Sequence, residues 1–151
     1  MQILFRPGCA ADFDYCRRLY FSGMERFIRE LKLDMAAQNA GFQQSWESTQ
    51  VRILTLDGAD IGWLQCTTQD DALYLGQFFV DAPFQQRGIG TEVMHLLIAE
   101  ATSAGRAMTL SVVKTNPALR LYLRLGFRIT HEDERKFYLR RQPGIKTPIS
   151  K

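Results

Sequence analysis

Two stretches of the chain carry residue types that could do chemistry. Gln85-Gln86-Arg87-Gly88-Ile89-Gly90-Thr91 lies between a strand-like run and the first turn of a helix-like one. Glycines at 88 and 90 let the chain turn tightly and let a phosphate come close to the backbone, while the unpaired N–H groups of a helix start point at its negative charge. Arg87 adds a formal positive charge. The second stretch, Asn116-Pro117-Ala118-Leu119-Arg120-Leu121-Tyr122-Leu123-Arg124-Leu125-Gly126-Phe127, opens with a capping residue and a first-turn proline and closes on a glycine. Each also has a plain structural reading, a tight turn for the glycines and a helix N-cap for Asn116.

Rival phosphate motifs fail. A Walker loop needs a Gly-Lys pair, which the chain lacks. A dinucleotide fingerprint needs a third glycine where Val93 stands. Cys9, Cys16 and Cys66 cannot all pair within one chain and none lies in a Cys-x-x-Cys, which fits a reducing compartment. His95 and His131, the only histidines, lie near no cysteine in sequence, so no metal is expected and no histidine is placed to activate a cysteine nucleophile.

These segments need a scaffold, and 151 residues with 46% hydrophobic and 23% charged side chains suit one soluble α/β (α+β) domain. We expect it over residues 1–141, with 142–151 a disordered tail. No run of 18 apolar residues occurs and the start is too soon interrupted to be a secretory signal, so the expectation is a cytoplasmic protein with no membrane partner. Residues 1–105 carry net charge −5 and residues 106–151 net +8. The basic end lacks interleaved aromatics, and no nucleic-acid partner is expected.

Periodicity predicts a strand over 2–6, a helical stripe over 12–20, a second helix from Met24 past Leu31, and a short helix capped by Asp34. Runs at 51–56 and 61–67 form a hairpin through Asp57-Gly58-Ala59-Asp60. A strand over 72–80, a helix from Ile89 to near Gly105, a strand over 108–113, a helix over 118–125, and strands over 127–130 and 136–139 complete the order. The sheet this implies is mixed and largely antiparallel, with flanking helices.

Taken together, the two chemical segments resemble the GNAT acyltransferases. The family's phosphate loop, Gln/Arg-x-x-Gly-x-Gly/Ala, is matched by Gln85, Gly88 and Gly90, and its later helix by Asn116, Ala118, Tyr122, Gly126 and Phe127. Phe78-Phe79-Val80-Asp81-Ala82-Pro83 is similar to the strand that precedes that loop. The resemblance implies acetyl-CoA as cosubstrate, with the strands on either side of the loop and helix splayed to hold it. It implies that backbone amides of Arg87, Gly88, Ile89, Gly90 and Thr91 hold the pyrophosphate, that Phe78 and Val80 pair with the pantetheine arm, and that Asn116 reaches that arm.

The activity implied is transfer of an acetyl group to a primary amine by direct attack in a ternary complex, with Val80 N–H stabilising the oxyanion and Tyr122 protonating the thiolate. The acceptor is a small-molecule or protein amine. Acetylation of a protein N-terminus or lysine, and a non-catalytic acyl-CoA-binding module, are the alternatives; a homodimer is left open. The chain departs from the family at the base. Some members carry a glutamate on the strand before the loop, where Tyr74-Leu75-Gly76-Gln77-Phe78-Phe79 has no carboxylate. The ribosomal-protein type carries one on the next strand, where Leu110-Ser111-Val112 has none either. Water held by Gln77 and Ser111, Glu25 and Glu30 all stay open as the base.

Overall fold

The computed structural model describes residues 2–144. Residues 145–151 of the tail expected to be disordered lie outside the described residues. The elements are β1 (Ile3–Pro7), α1 (Phe13–Glu30), α2 (Met35–Ser45), β2 (Val51–Leu56), β3 (Ala59–Gln69), β4 (Ala72–Val80), α3 (Ile89–Ser103), β5 (Ala107–Val113), α4 (Leu119–Arg124), β6 (Arg128–Glu132) and β7 (Lys136–Arg141). Seven strands form one sheet in the order β1-β2-β3-β4-β5-β7-β6. The pairs β1/β2, β2/β3, β5/β7 and β6/β7 are antiparallel and β4/β5 is parallel, so the mixed, largely antiparallel sheet is the one the sequence predicted.

Two compact units share the chain: Met1–Gln65 with Gln77–Ile89, and Cys66–Gly76 with Gly90–Lys151. In the first, Cys16, Leu19 and Tyr20 of α1 and Phe42 of α2 cluster with Val51, Ile53 and Trp63. One continuous α1 replaces the two helical stretches expected from periodicity. Gly23 does not break it, because an isolated glycine costs a helix only about 1 kcal/mol and the apolar stripe continues through Phe27 and Ile28. Asp34 caps α2 as expected, accepting from Ala37 N–H at 3.0 Å.

The first hairpin turns on Asp57 (φ 50°) and Gly58 (φ 87°), a two-residue turn of the type that matches strand twist, so β3 starts earlier than predicted. Asp70 and Asp71 (φ 48° and 66°) repeat the device before β4 without a glycine.

Two glycines of the first unit make room for Phe79. A Cβ on Gly23 would lie 2.6 Å from the Phe79 ring, and one on Gly62 would lie against the Phe79 carbonyl oxygen and 3.1 Å from Val80 Cα. The ring cannot swing aside, since it packs at 5.6 Å against both Tyr20 and Trp63. Arg6 adds an ionic tie, donating to Asp12 at 2.9 Å and Asp60 at 3.0 Å; the guanidinium holds the Asp12 carboxyl below its ordinary range.

In the second unit β4 and β5 pair from Ala72–Ala107 to Leu75–Leu110. One face of this sheet buries Leu73, Leu75, Met108, Leu110, Val112 and Leu139. The buried stripe of α3, at Val93, Met94, Leu97, Ile98 and Ala101, has the spacing of a helix that covers such a face. Gly105, at φ 68°, ends that helix where the sequence placed its stop.

Gly23→Ala is expected to destabilise the protein by about 1–3 kcal/mol, the scale of an overpacked site, despite the gain in helix propensity. Gly41→Ala, in α2 with nothing within 4 Å of its would-be Cβ, is expected to stabilise by about 0.5–1 kcal/mol. Urea unfolding of both variants checks the contrast.

Candidate functional site

The loop that leads from β4 into α3 is held by short-range bonds. Asp81 N–H donates to Ile61 O at 2.8 Å, and the Asp81 carboxylate accepts from Ala82 N–H at 2.9 Å while facing Arg18 at 3.5 Å. A single 3-10 turn, Ala82–Phe84, follows. Gln85 then folds back, donating from Nε2 to Val80 O at 2.9 Å. Its side chain therefore closes the loop on β4, a structural duty that the sequence motif did not reveal.

Two residues of the loop are left-handed, Gln86 at φ 61° and Gly88 at φ 76°. Ile89 starts α3 directly after them, and left-handed residues beside a helix start are a backbone conformation that suits an anion. A Cβ on Gly88 or Gly90 would meet nothing within 4 Å, so neither glycine is there to admit another part of the protein. Ile89 is buried and anchors the first helical turn. Arg87 is exposed, its guanidinium 5.6 Å from the Phe84 ring centroid. Thr91 is half-buried in the first turn of α3.

Phe78 and Val80 lie on β4, both half-buried. Phe79, between them, points the other way into the aromatic cluster of the first unit, as strand alternation requires.

In the second unit Asn116 Oδ1 accepts from Ala118 N–H at 2.9 Å. It caps a turn rather than the helix itself, because the bonds Leu119 N–H to Asn116 O and Arg120 N–H to Pro117 O are short-range and α4 starts only at Leu119. This corrects the expected N-cap by two residues, to Ala118, a shift usual for a helix end that tightens.

Tyr122 stands on α4, with its ring edge-on to buried Phe127 at 5.9 Å. Burial pushes its phenol above the ordinary tyrosine value, so it is an uncharged O–H donor at neutral pH. The end of α4 is fixed by Gly126 at φ 98° and by buried Arg141, whose Nε donates to Leu125 O at 2.7 Å. Sequence reasoning missed Arg141, although its alternation with Leu139 along β7 puts it on the buried face.

Glu25 and Glu30 are engaged in exposed pairs, with Arg29 at 3.5 Å and Arg26 at 2.8 Å. At about 100° per helical residue, Glu25 projects about 200° from Gly23, the position facing Phe79, whereas Glu30 returns to that face about 10 Å farther along. Cys16 is buried, and burial pushes its thiol up to about 12. His95 is an exposed helix residue, and Trp63 is wholly core. The Glu132-Asp133-Glu134 segment includes the turn between β6 and β7, where Asp133 accepts from the Arg135 and Lys136 amides. Among the described residues no helix is long and apolar enough to cross a membrane.

A model of the Acetyltransferase (GNAT) family matches residues 16–127. A comparison with curated sequences finds no significant match. Solved structures of similar fold include PaiA N-acetyltransferase from Thermoplasma acidophilum in complex with coenzyme A, at 17% identity and TM-score 0.65 over 94% of this chain and 99% of that one. A protein described as histone acetyltransferase HPA2 and related acetyltransferase from Corynebacterium glutamicum gives TM-score 0.74 at 17% identity, over 97% and 99%. N-acetylglutamate synthase from Neisseria gonorrhoeae, complexed with coenzyme A and N-acetyl-glutamate, gives 0.66 at 17%, over 94% of this chain and 35% of that one.

Proposed function

Because the chain belongs to the acetyltransferase (GNAT) family, we propose that it is an acetyl-CoA-dependent N-acetyltransferase that moves the acetyl group to a primary amine by direct attack in a ternary complex. The observation that carries this reading, besides the family match, is the loop at Gln85–Thr91. Its glycines face empty space, its backbone turns left-handed at two positions, and it runs straight into a helix start. That combination suits a pyrophosphate better than it suits a turn alone.

In this reading the amides of Arg87, Gly88, Ile89, Gly90 and Thr91 hold the pyrophosphate, Arg87 adds charge, and Gln85 keeps the loop in shape. Phe78 and Val80 offer backbone groups to the pantetheine arm, and Val80 N–H meets the carbonyl oxygen as it becomes an oxyanion. Asn116 meets the arm as well. The neutral amine attacks the thioester carbon, the tetrahedral adduct collapses, and the C–S bond breaks as Tyr122 O–H gives its proton to the departing thiolate. A phenol held neutral by burial suits that step. The proton lost by the amine passes to water held by Gln77 and Ser111, or to Glu25 or Glu30 on α1. The reading takes residues 1–141 as one functional domain, in a reducing, cytoplasmic setting.

Gly90→Val is expected to fold normally and to lose measurable acetyl-CoA binding in calorimetry, because the side chain occupies the space kept for phosphate; unchanged affinity would remove the loop from the site. Tyr122→Phe is expected to lower kcat by about 10²-fold with acetyl-CoA affinity preserved. An acid must be protonated to act, so wild-type kcat should hold through neutral pH and fall only as pH rises past a tyrosine's usual value of about 10. The Phe variant should lack that limb. Release of free thiol across a panel of amines reads both effects, and equal loss of binding and turnover would assign Tyr122 to packing.

A further inference from the structure

The sheet of the second unit has one buried face and one that is partly exposed beyond the buried Ala72–Ala107 pair, and strand register says which residues share the second. Directly paired residues of neighbouring strands project to the same side. Tyr74 pairs with Thr109, Thr109 with Arg140, and Arg140 with Arg128, giving one row across β4, β5, β7 and β6. The next row runs Ser111, Tyr138, His131, with the His131 and Tyr138 rings stacked at 4.4 Å and 2°. Tyr74, Thr109, Ser111, Tyr138 and Arg140 are half-buried, and Arg128 and His131 exposed, whereas Leu73, Met108, Leu110 and Leu139 on the reverse are buried.

The row contains a conflict. Arg128 and Arg140 stand directly opposite each other, and like charges in that position repel. Among the described residues neither forms a salt bridge with a carboxylate. Asp133, in the turn between β6 and β7, accepts from Tyr138 O–H at 2.8 Å. Two guanidinium groups that no described carboxylate pairs with share this face with the hydroxyl residues Thr109 and Ser111 and the His131–Tyr138 stack, the group types that bind a planar or tetrahedral oxyanion. The pyrophosphate of acetyl-CoA is a poorer occupant, since the loop at 85–91 is proposed to hold it, and acetyl-CoA affinity of the variants below tests the 3′-phosphate.

We infer that this partly exposed face, centred on Arg140 and Arg128, binds the acceptor substrate through a carboxylate or phosphate group, so that the acetylated molecule is an amine that also carries an anion. The inference rests on the acetyltransferase reading. The shared chemistry is the oxyanion, and matched probes separate its two forms: β-alanine against propylamine, and phosphoethanolamine against ethanolamine.

Thiol release at saturating acetyl-CoA should favour at least one anionic amine over its neutral partner by about tenfold or more in kcat/KM, the scale of a charge-assisted bond. Arg140→Gln and Arg128→Gln should erase that preference through KM, leaving the neutral partner within about twofold and acetyl-CoA affinity unchanged. Thermal midpoints should hold or rise, because the change relieves a repulsion; a merely structural arginine would lower them. Amide resonances of Thr109–Ser111 and Tyr138–Arg140 in the coenzyme A complex should shift on addition of the favoured anionic amine and not in the variants. Equal use of both members of each pair, equal losses for both, weakened acetyl-CoA binding, or no shift with either anionic probe would overturn the inference. Failure of the wild type to bind acetyl-CoA would instead overturn the reading beneath it.

Discussion

The pairing of β4 with β5 constrains everything around it. Parallel strands cannot be joined by a tight turn, so the chain must leave the carboxyl end of β4, cross, and re-enter alongside it. Residues 81–106 make that crossing, and α3 provides its rigid part. A helix launched there begins with N–H groups that its own ladder does not use, placed at the carboxyl end of a strand, where ligands of such sheets bind. Topology thus offers the proposed anion site before any side chain is chosen. No protein atom lies within 4 Å of a would-be Cβ on Gly88 or Gly90, and Gln85 closes the loop against Val80.

A site built on backbone needs a backbone that does not move. The end of β4 is fixed through Phe79, whose ring occupies the notch at Gly23 and whose carbonyl lies against Gly62. The surrounding aromatic cluster, with Tyr20 and Trp63 each 5.6 Å from that ring, resists displacement at the density of a packed core. Arg141 does the same for α4 by satisfying the Leu125 carbonyl, so the two segments that carry the proposed chemistry are each held by buried contacts rather than left to loop flexibility.

The sequence revealed what local pattern encodes. Alternation and turn chemistry placed every strand, and the glycine spacing marked the loop at 85–91, because these signals act within a few residues. Less legible were features that depend on distant partners. Periodicity split α1 between Tyr20 and Met24, since nothing local says that a phenylalanine more than fifty residues away packs against Gly23 and holds the segment in one helix. Asn116 was placed at the helix start two residues too early, because a short-range turn and a helix share the same capping residue types. The Arg128–Arg140 juxtaposition is a matter of register between β6 and β7, with an irregularity between Ile129 and His131 that no pattern in the sequence announces.

The central claim is that the amides at the start of α3 hold the pyrophosphate of acetyl-CoA. Hydrogen exchange of individual backbone amides, followed in the free protein and at saturating acetyl-CoA, tests it most directly. Exchange at Arg87–Thr91 is expected to slow by about an order of magnitude or more on binding, as N–H groups open to solvent become donors to phosphate. Saturating binding with those five amides unchanged, and protection appearing only elsewhere, would contradict it.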